Sequence, residues 1–244
     1  MKIFLTEFKK LKRSNIILPL LVIPLISIIF GTLNYIMNTA LLQKEWISLW
    51  TQVYLFYGLF FMPAIIGIIC SYLWSGEHKR NNLNLILASG ISFNKIIMSK
   101  MLVAFCLVLC AQIWLFILYI LAGFLCNFTS QFPVEIFALL ILASILSSYL
   151  IAIQSYISLK ITSFAIPVVL ALIISFLSLM LAQNNIVPQL SYVLSNTTIS
   201  MTMNHLPDIE MSALTIVAMI SSCFLITLAF IWLQVRSLAK HLKK

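Results

Sequence analysis

Apolar positions in this chain run in long unbroken stretches, and the polar positions gather between them. About 20 helical residues cross a ~30 Å hydrocarbon core at 1.5 Å rise each. Six stretches reach that length: roughly Ile16 to Met37, Trp50 to Trp74, Met101 to Leu125, Ile136 to Ser158, Ile161 to Gln183 and Ser212 to Val235. None of them holds an Asp, Glu, Lys, Arg or His. The apolar residues follow one another instead of alternating over ~10-residue segments, which excludes the strands of a membrane β-barrel. The pattern predicts an all-α membrane protein, one transmembrane domain over residues 1–244, with six transmembrane helices.

The segments between the stretches carry patterns of their own. Over residues 1–13, Phe4, Phe8 and Leu11 recur at i, i+4 and i+7, with Lys2, Lys9, Lys10, Lys12 and Arg13 filling much of the rest. This predicts a basic amphipathic helix lying in the interface, with Lys9, Lys10, Lys12 and Arg13 among anionic lipid headgroups. The plainer reading is a cluster of charges that orients the first span. Between the second and third spans, Leu83, Ile86 and Leu87 fall at i, i+3 and i+4, and Gly90 follows as a helix stop. Charges precede this short helix (Glu77, Lys79, Arg80), and Asn82 opens it. It suits docking into a groove on a soluble partner. A solvated connector is the alternative, but it has little need of Leu83, Leu85, Ile86 and Leu87. The segment from Asn184 to Met211 is half apolar and uncharged between Gln189 and Met203, too short to span, and reads as a re-entrant or surface-lying helix pair.

Composition agrees with this picture and charge orients it. The chain is 62% apolar and 9% charged, against ~25% charged residues in a soluble domain. Its net charge is +9, a value that in a soluble chain would suggest a nucleic-acid partner. Sorting the charge by loop removes that suggestion. With both termini in the cytoplasm, 14 of the 15 Lys and Arg lie inside, giving +12 there and −3 outside. The positive-inside rule is obeyed at every loop. Trp46 and Trp50 fall at the outer boundary, Trp74 and Trp232 at the inner one, as in aromatic belts. The first apolar stretch, at about 22 residues, is longer than the 7–15 of a signal-peptide core and lacks a small-x-small cleavage site, so it reads as a retained helix.

The spans lack the parts of several chemistries. An ionisable group at the centre of a membrane helix costs ~2.5–3.5 kcal/mol and marks ion paths or catalytic centres where it occurs. Carboxylate proton relays and intramembrane proteases therefore lose their working residues, and His78, His205 and His241 all lie outside the spans. Cys106 and Cys110 share a helical face without a third ligand and read as packing, with no metal expected. No Gly-Lys dipeptide occurs, so no P-loop does either, and any energy for transport comes from another subunit. Gln112 and Gln154 are the deeper amides, available to line a polar translocation path or to join helices. Pro24 and Pro63 favour kinks. Ser144, Ser148 and Ala152 form a small-residue stripe that admits a neighbouring helix.

A basic N-terminal helix, six spans and the loop Glu77…Asn82-Leu83…Leu87-Ala88-Ser89-Gly90…Lys95-Ile96…Ser99-Lys100 together resemble the type-2 ABC exporter permeases. The run from Gln52 through Phe56-Tyr57…Phe60-Phe61…Pro63…Gly67 to Ser71 is similar to the lantibiotic-immunity permeases of Gram-positive bacteria, relatives of the bacitracin-resistance permease. The family often has Pro where this chain has Gly90. The resemblance implies residues 1–13 as an elbow helix and Glu77 to Gly90 as a cytoplasmic coupling helix seated on an ABC ATPase. Glu77, Lys79, Arg80, Asn82, Leu83, Ile86, Leu87 and Gly90 are the coupling residues. It further implies ATP and Mg on that partner with no cofactor or catalytic residue in this chain, and a second permease, identical or homologous. The implied setting is the bacterial cell membrane, and the implied cargo an amphiphilic antimicrobial peptide. A permease for a lipid, drug or bacteriocin, and a non-transporting scaffold or sensor subunit, are the alternatives.

Overall fold

The computed structural model describes residues 2–11, 15–79, 82–88, 90–183 and 213–241. The described residues form α-helices and no strand. In chain order they are α1 (Lys2–Leu11), α2 (Ile17–Met37), α3 (Glu45–Phe56), α4 (Met62–His78), α5 (Asn82–Ala88), α6 (Phe93–Leu125), α7 (Glu135–Lys160), α8 (Ala165–Gln183) and α9 (Ala213–His241). A π-helical turn, Tyr57–Phe61, joins α3 to α4 without a break. The segment from Asn184 to Met211, expected to hold a re-entrant or surface helix pair, lies outside the described residues, as do Lys12, Arg13 and Arg80.

Five helical stretches among the described residues are long and apolar enough to cross a membrane: Ile17–Met37, Glu45–His78, Phe93–Leu125, Glu135–Lys160 and Ile220–Lys240. The protein is a multi-pass membrane protein. The stretch from Ile161 to Gln183, expected as a further span, begins as a helix only at Ala165, and its apolar part Ala165–Leu177 is shorter than a span. Pro167 suits that start, because a proline in the first turn lacks only an N–H that would go unpaired anyway.

The core is built around the continuous α3–α4 rod, the most enclosed of the spans, whereas α2 and α9 keep most of their surface outward. α2 meets α3 closely: a Cβ added at Gly31 would lie 2.5 Å from Val53 Cα, and Ser27 Oγ donates to the Val53 carbonyl at 3.1 Å. α4 packs on α7 and α8, and α7 on α9. The serine stripe of α7 serves this last packing. Ser155 donates to Gln234 Oε1 at 2.8 Å, while Ser144 and Ser147 donate back to their own helix carbonyls.

Three tryptophans expected in interfacial belts are core residues instead. Trp46, Trp50 and Trp74 are all buried, and only Trp232 is exposed. Each of the first and third has a partner for its indole N–H: Trp46 donates to the Ser130 carbonyl at 3.1 Å and Trp74 to Ser155 Oγ at 2.9 Å. Trp46 fits edge-on against Phe128 and Phe132, both at 5.1 Å, over Gly123, where any Cβ would strike its ring. Near the ends of a bundle, a tryptophan can thus satisfy its N–H on a neighbouring helix as well as at a headgroup.

Candidate functional site

The longest departure from the expected boundaries sets up the site. α6 begins at Phe93, eight positions ahead of the apolar stretch, and carries Lys95 and Lys100 on continuous helix. Lys100 thereby leaves the loop and enters the bundle, where it is 1% exposed. An isolated buried ammonium would lose its charge or unfold its surroundings. Here the ammonium donates to Glu7 Oε2, Glu77 Oε1 and the Leu73 carbonyl, each at 2.8 Å, with the Trp74 ring centre 5.1 Å away.

Glu7 comes from α1 and Glu77 from the last turn of α4, so three helices converge on one ammonium. Lys10 closes the group from the water side, at 2.7 Å from both Glu7 Oε1 and Glu77 Oε1. Two carboxylates and two ammoniums balance in formal charge. Burial works against the charge of Lys10, but hydrogen bonds and the fields of Glu7 and Glu77 outweigh it and raise its pKa above the ordinary lysine value. A cavity of about 350 Å³ opens beside Lys10, bounded by α1, the end of α4 and Asn82.

α1 is amphipathic as expected, yet its apolar side is turned to protein. Leu11 is buried, and Phe4 and Phe8 are partly buried against the core. Lys9 is exposed; Lys10, expected among lipid headgroups together with it, is half-buried and held by the two carboxylates.

α5 lies next to this cluster. Asn82 donates from its side chain to the Gly76 carbonyl at 3.0 Å and from its backbone to the Lys79 carbonyl at 3.2 Å, which fixes the turn between α4 and α5. Gly90 has φ +71°, the left-handed conformation expected of a helix stop. Leu83 is partly buried against the core and Ile86 half-buried, whereas Leu85 is 67% exposed. The side chain of Leu87 lies outside the described residues. Glu77, read from the sequence as the head of the docking segment, is instead an interior residue of α4, 4% exposed. His78 Nε2 meets the Ser158 carbonyl at 2.9 Å; a carbonyl only accepts, so this nitrogen carries the hydrogen.

Gln112 and Gln154 are both buried between helices. Gln112 donates to Tyr54 Oη at 3.4 Å, and Gln154 donates to the Pro167 carbonyl, across from Gly67. Gln154 also borders a small recess of about 30 Å³ beside Pro63.

The last turn of α4, after which α5 follows in the chain, is thus tied to α1 and α6 by buried ion pairs. The family profile described as ABC-2 family transporter protein matches residues 3–178, more than half of the 244-residue chain. The chain belongs to the ABC-2 transporter family. It is a membrane-spanning permease subunit of an ABC transporter, and ABC-2 permeases work with ABC ATPase subunits. No curated protein matches the chain. The family match runs from α1 through most of α8 and so takes in both the ion-pair cluster and α5.

Sequence reasoning missed Glu7 and Lys100 as site residues. One signal existed: Glu7 and Glu77 are the two acids of the expected inner segments, and both enter the cluster.

Proposed function

We propose that this ABC-2 permease has six spans with both termini in the cytoplasm of a bacterium, and that it exports a lantibiotic-like peptide to give immunity. α1 is then the elbow helix, and Lys9, Lys12 and Arg13 hold it to anionic lipid. α5 is the coupling helix. The observation that supports this reading best is Leu85, a large apolar side chain left exposed on a seven-residue helix beside the buried ion pairs. In this reading Leu85 enters the groove of the ATPase, where ATP and Mg²⁺ bind, and this chain contributes no catalytic residue. The Glu7–Lys10–Glu77–Lys100 cluster holds the last turn of α4 to α1 and α6, and Asn82 ties α5 to that turn, so that displacement of α5 moves whole helices. Gln112 and Gln154 lie where helices would part to form a path. Two copies of this chain, or this chain and a homologous permease, complete the membrane unit.

Because Leu85 is exposed, Leu85→Glu leaves the fold of the chain intact. It is expected to abolish copurification of the ATPase and to lower peptide resistance at least tenfold. Wild-type copurification and resistance in Leu85→Glu cells would sink the assignment of α5. Retained ATPase binding with resistance to a lipid, drug or bacteriocin, and none to lantibiotics, transfers the cargo to that amphiphile. Normal resistance in cells lacking the chain altogether leaves a scaffold or sensor.

A further inference from the structure

We propose that the bundle holds a discrete site for one anionic glycerophospholipid, separate from the surface of α1 and from α5. The site is a cavity of about 480 Å³ where the start of α2, the C-terminal half of α4 and the α7–α8 linker meet. That volume falls within the ~300–1,000 Å³ of small-ligand sites. Its lining changes character along the helices. Ile68 and His78 both face it, and ten helical residues separate them by roughly 15 Å along the axis of α4. Ile68 on α4 and Pro19 on α2 lie further from the helix ends, and Asn15, Ser75 and Lys79 lie nearer to them.

Charge selects the ligand. No Asp or Glu lines the cavity, and Lys79 does. At the same end of the bundle, Lys10 and Lys100 are held by Glu7 and Glu77. Lys160 lies over the Tyr156 ring at 5.9 Å and Arg236 over the Trp232 ring at 5.2 Å. Lys79 has no carboxylate or ring partner among the described residues. A cation with no ion-pair partner among the described residues, on a cleft whose other lining is apolar or neutral, fits an anionic head on an acyl chain. A free phosphate would leave the Ile68 and Pro19 walls uncovered, and a cationic peptide would meet Lys79 as a like charge. A lipid seated here packs between α2, α4 and the α7–α8 linker. The site does not depend on what the transporter exports.

Native mass spectrometry of the full-length chain in detergent, titrated with phosphatidylglycerol, tests the site. One lipid is expected to bind in a saturable step, more tightly than phosphatidylcholine and without competition from inorganic phosphate. A cation near a headgroup contributes about 1 kcal/mol, so Lys79→Ala is expected to weaken binding about fivefold. Lys95→Ala, on an exposed cation away from the cavity, is expected to leave it unchanged. Ile68→Trp, which fills the apolar part with Lys79 intact, is expected to remove the bound lipid. Equal weakening by Lys79→Ala and Lys95→Ala, or equal retention of phosphatidylcholine, overturns the proposal in favour of general attraction. Competition by inorganic phosphate reduces it to a small-anion site, one-for-one displacement by a cationic peptide assigns the cavity to peptide, and undiminished binding to Ile68→Trp removes it from this cavity.

Discussion

Lys100 is the residue on which the most structure depends. Its ammonium is the meeting point of α1, α4 and α6, and removing one partner of a buried ion pair typically costs ~3–5 kcal/mol because the other charge is left unpaired. Lys100→Met leaves Glu7 and Glu77 facing each other with Lys10 alone to balance them. We expect that variant to unfold in a thermal scan well below the wild type, with a loss near that range. Lys100→Met combined with Glu7→Gln and Glu77→Gln, which removes the three buried charges together and leaves only the half-exposed Lys10, is expected to recover much of the difference. A recovery near zero would mean that the cluster contributes through packing alone. None of this was legible locally. A lysine at the end of a loop and a lysine eight residues inside a helix look alike in sequence, and the partner Glu7 is 93 residues away. The tryptophans were misplaced for a related reason, since nearness to a span boundary does not say which side of the helix faces lipid.

Among the elements, five of the six apolar stretches and the short α5 were read correctly in kind because each rests on a local rule: unbroken apolar length for spans, i, i+3, i+4 spacing and a following glycine for α5. The π-turn at Tyr57–Phe61 had no such signal, because it lies in the middle of an apolar run and breaks no pattern of polarity. Its effect on the fold is large. A π-turn accommodates one extra residue, and a residue of helix is worth about 100° of rotation. Above the turn the rod faces α2 and α6 through Val53 and Trp46; below it the rod faces α7 and α8 through Gly67 and Trp74. Deleting Leu59 is expected to convert the turn to α-helix and swing Glu77 away from Lys100. Disulfide trapping in a Glu7→Cys/Glu77→Cys protein reads this directly: the pair should crosslink with Leu59 present and fail to do so without it. Crosslinking in both would show that the bundle absorbs the deletion elsewhere.

At the scale of the molecule, charge and packing have the same polarity. Among the described residues Lys9, Lys10, Lys79, Lys95, Lys100, Lys160, Arg236 and Lys240 collect at the end that holds α1 and α5, and Lys44, Glu45 and Glu135 at the other. Glu45 binds the linker after α6, accepting from the backbone N–H of Thr129 at 2.9 Å and of Ser130 at 2.7 Å. In the proposed orientation, which follows the positive-inside rule, the basic end faces the cytoplasm. A reporter enzyme active only outside the cell should therefore be active when fused after Thr129 and inactive when fused after His241; activity at both sites would contradict an even number of spans. The distribution of charge was fully legible from composition along the chain. The apolar-to-polar gradient of the cavity at Lys79 was not, because it is assembled from three segments that only the fold brings together.

The ion-pair cluster also imposes an order on synthesis. Glu7 leaves the ribosome before Lys100, which follows 93 residues later; at ~5–20 residues per second that is a delay of several seconds or more. During that interval α1 has an acid on the side that will be buried and nothing in the bundle to neutralise it. α1 thus waits for α6, and it settles when the third long helix arrives carrying Lys100.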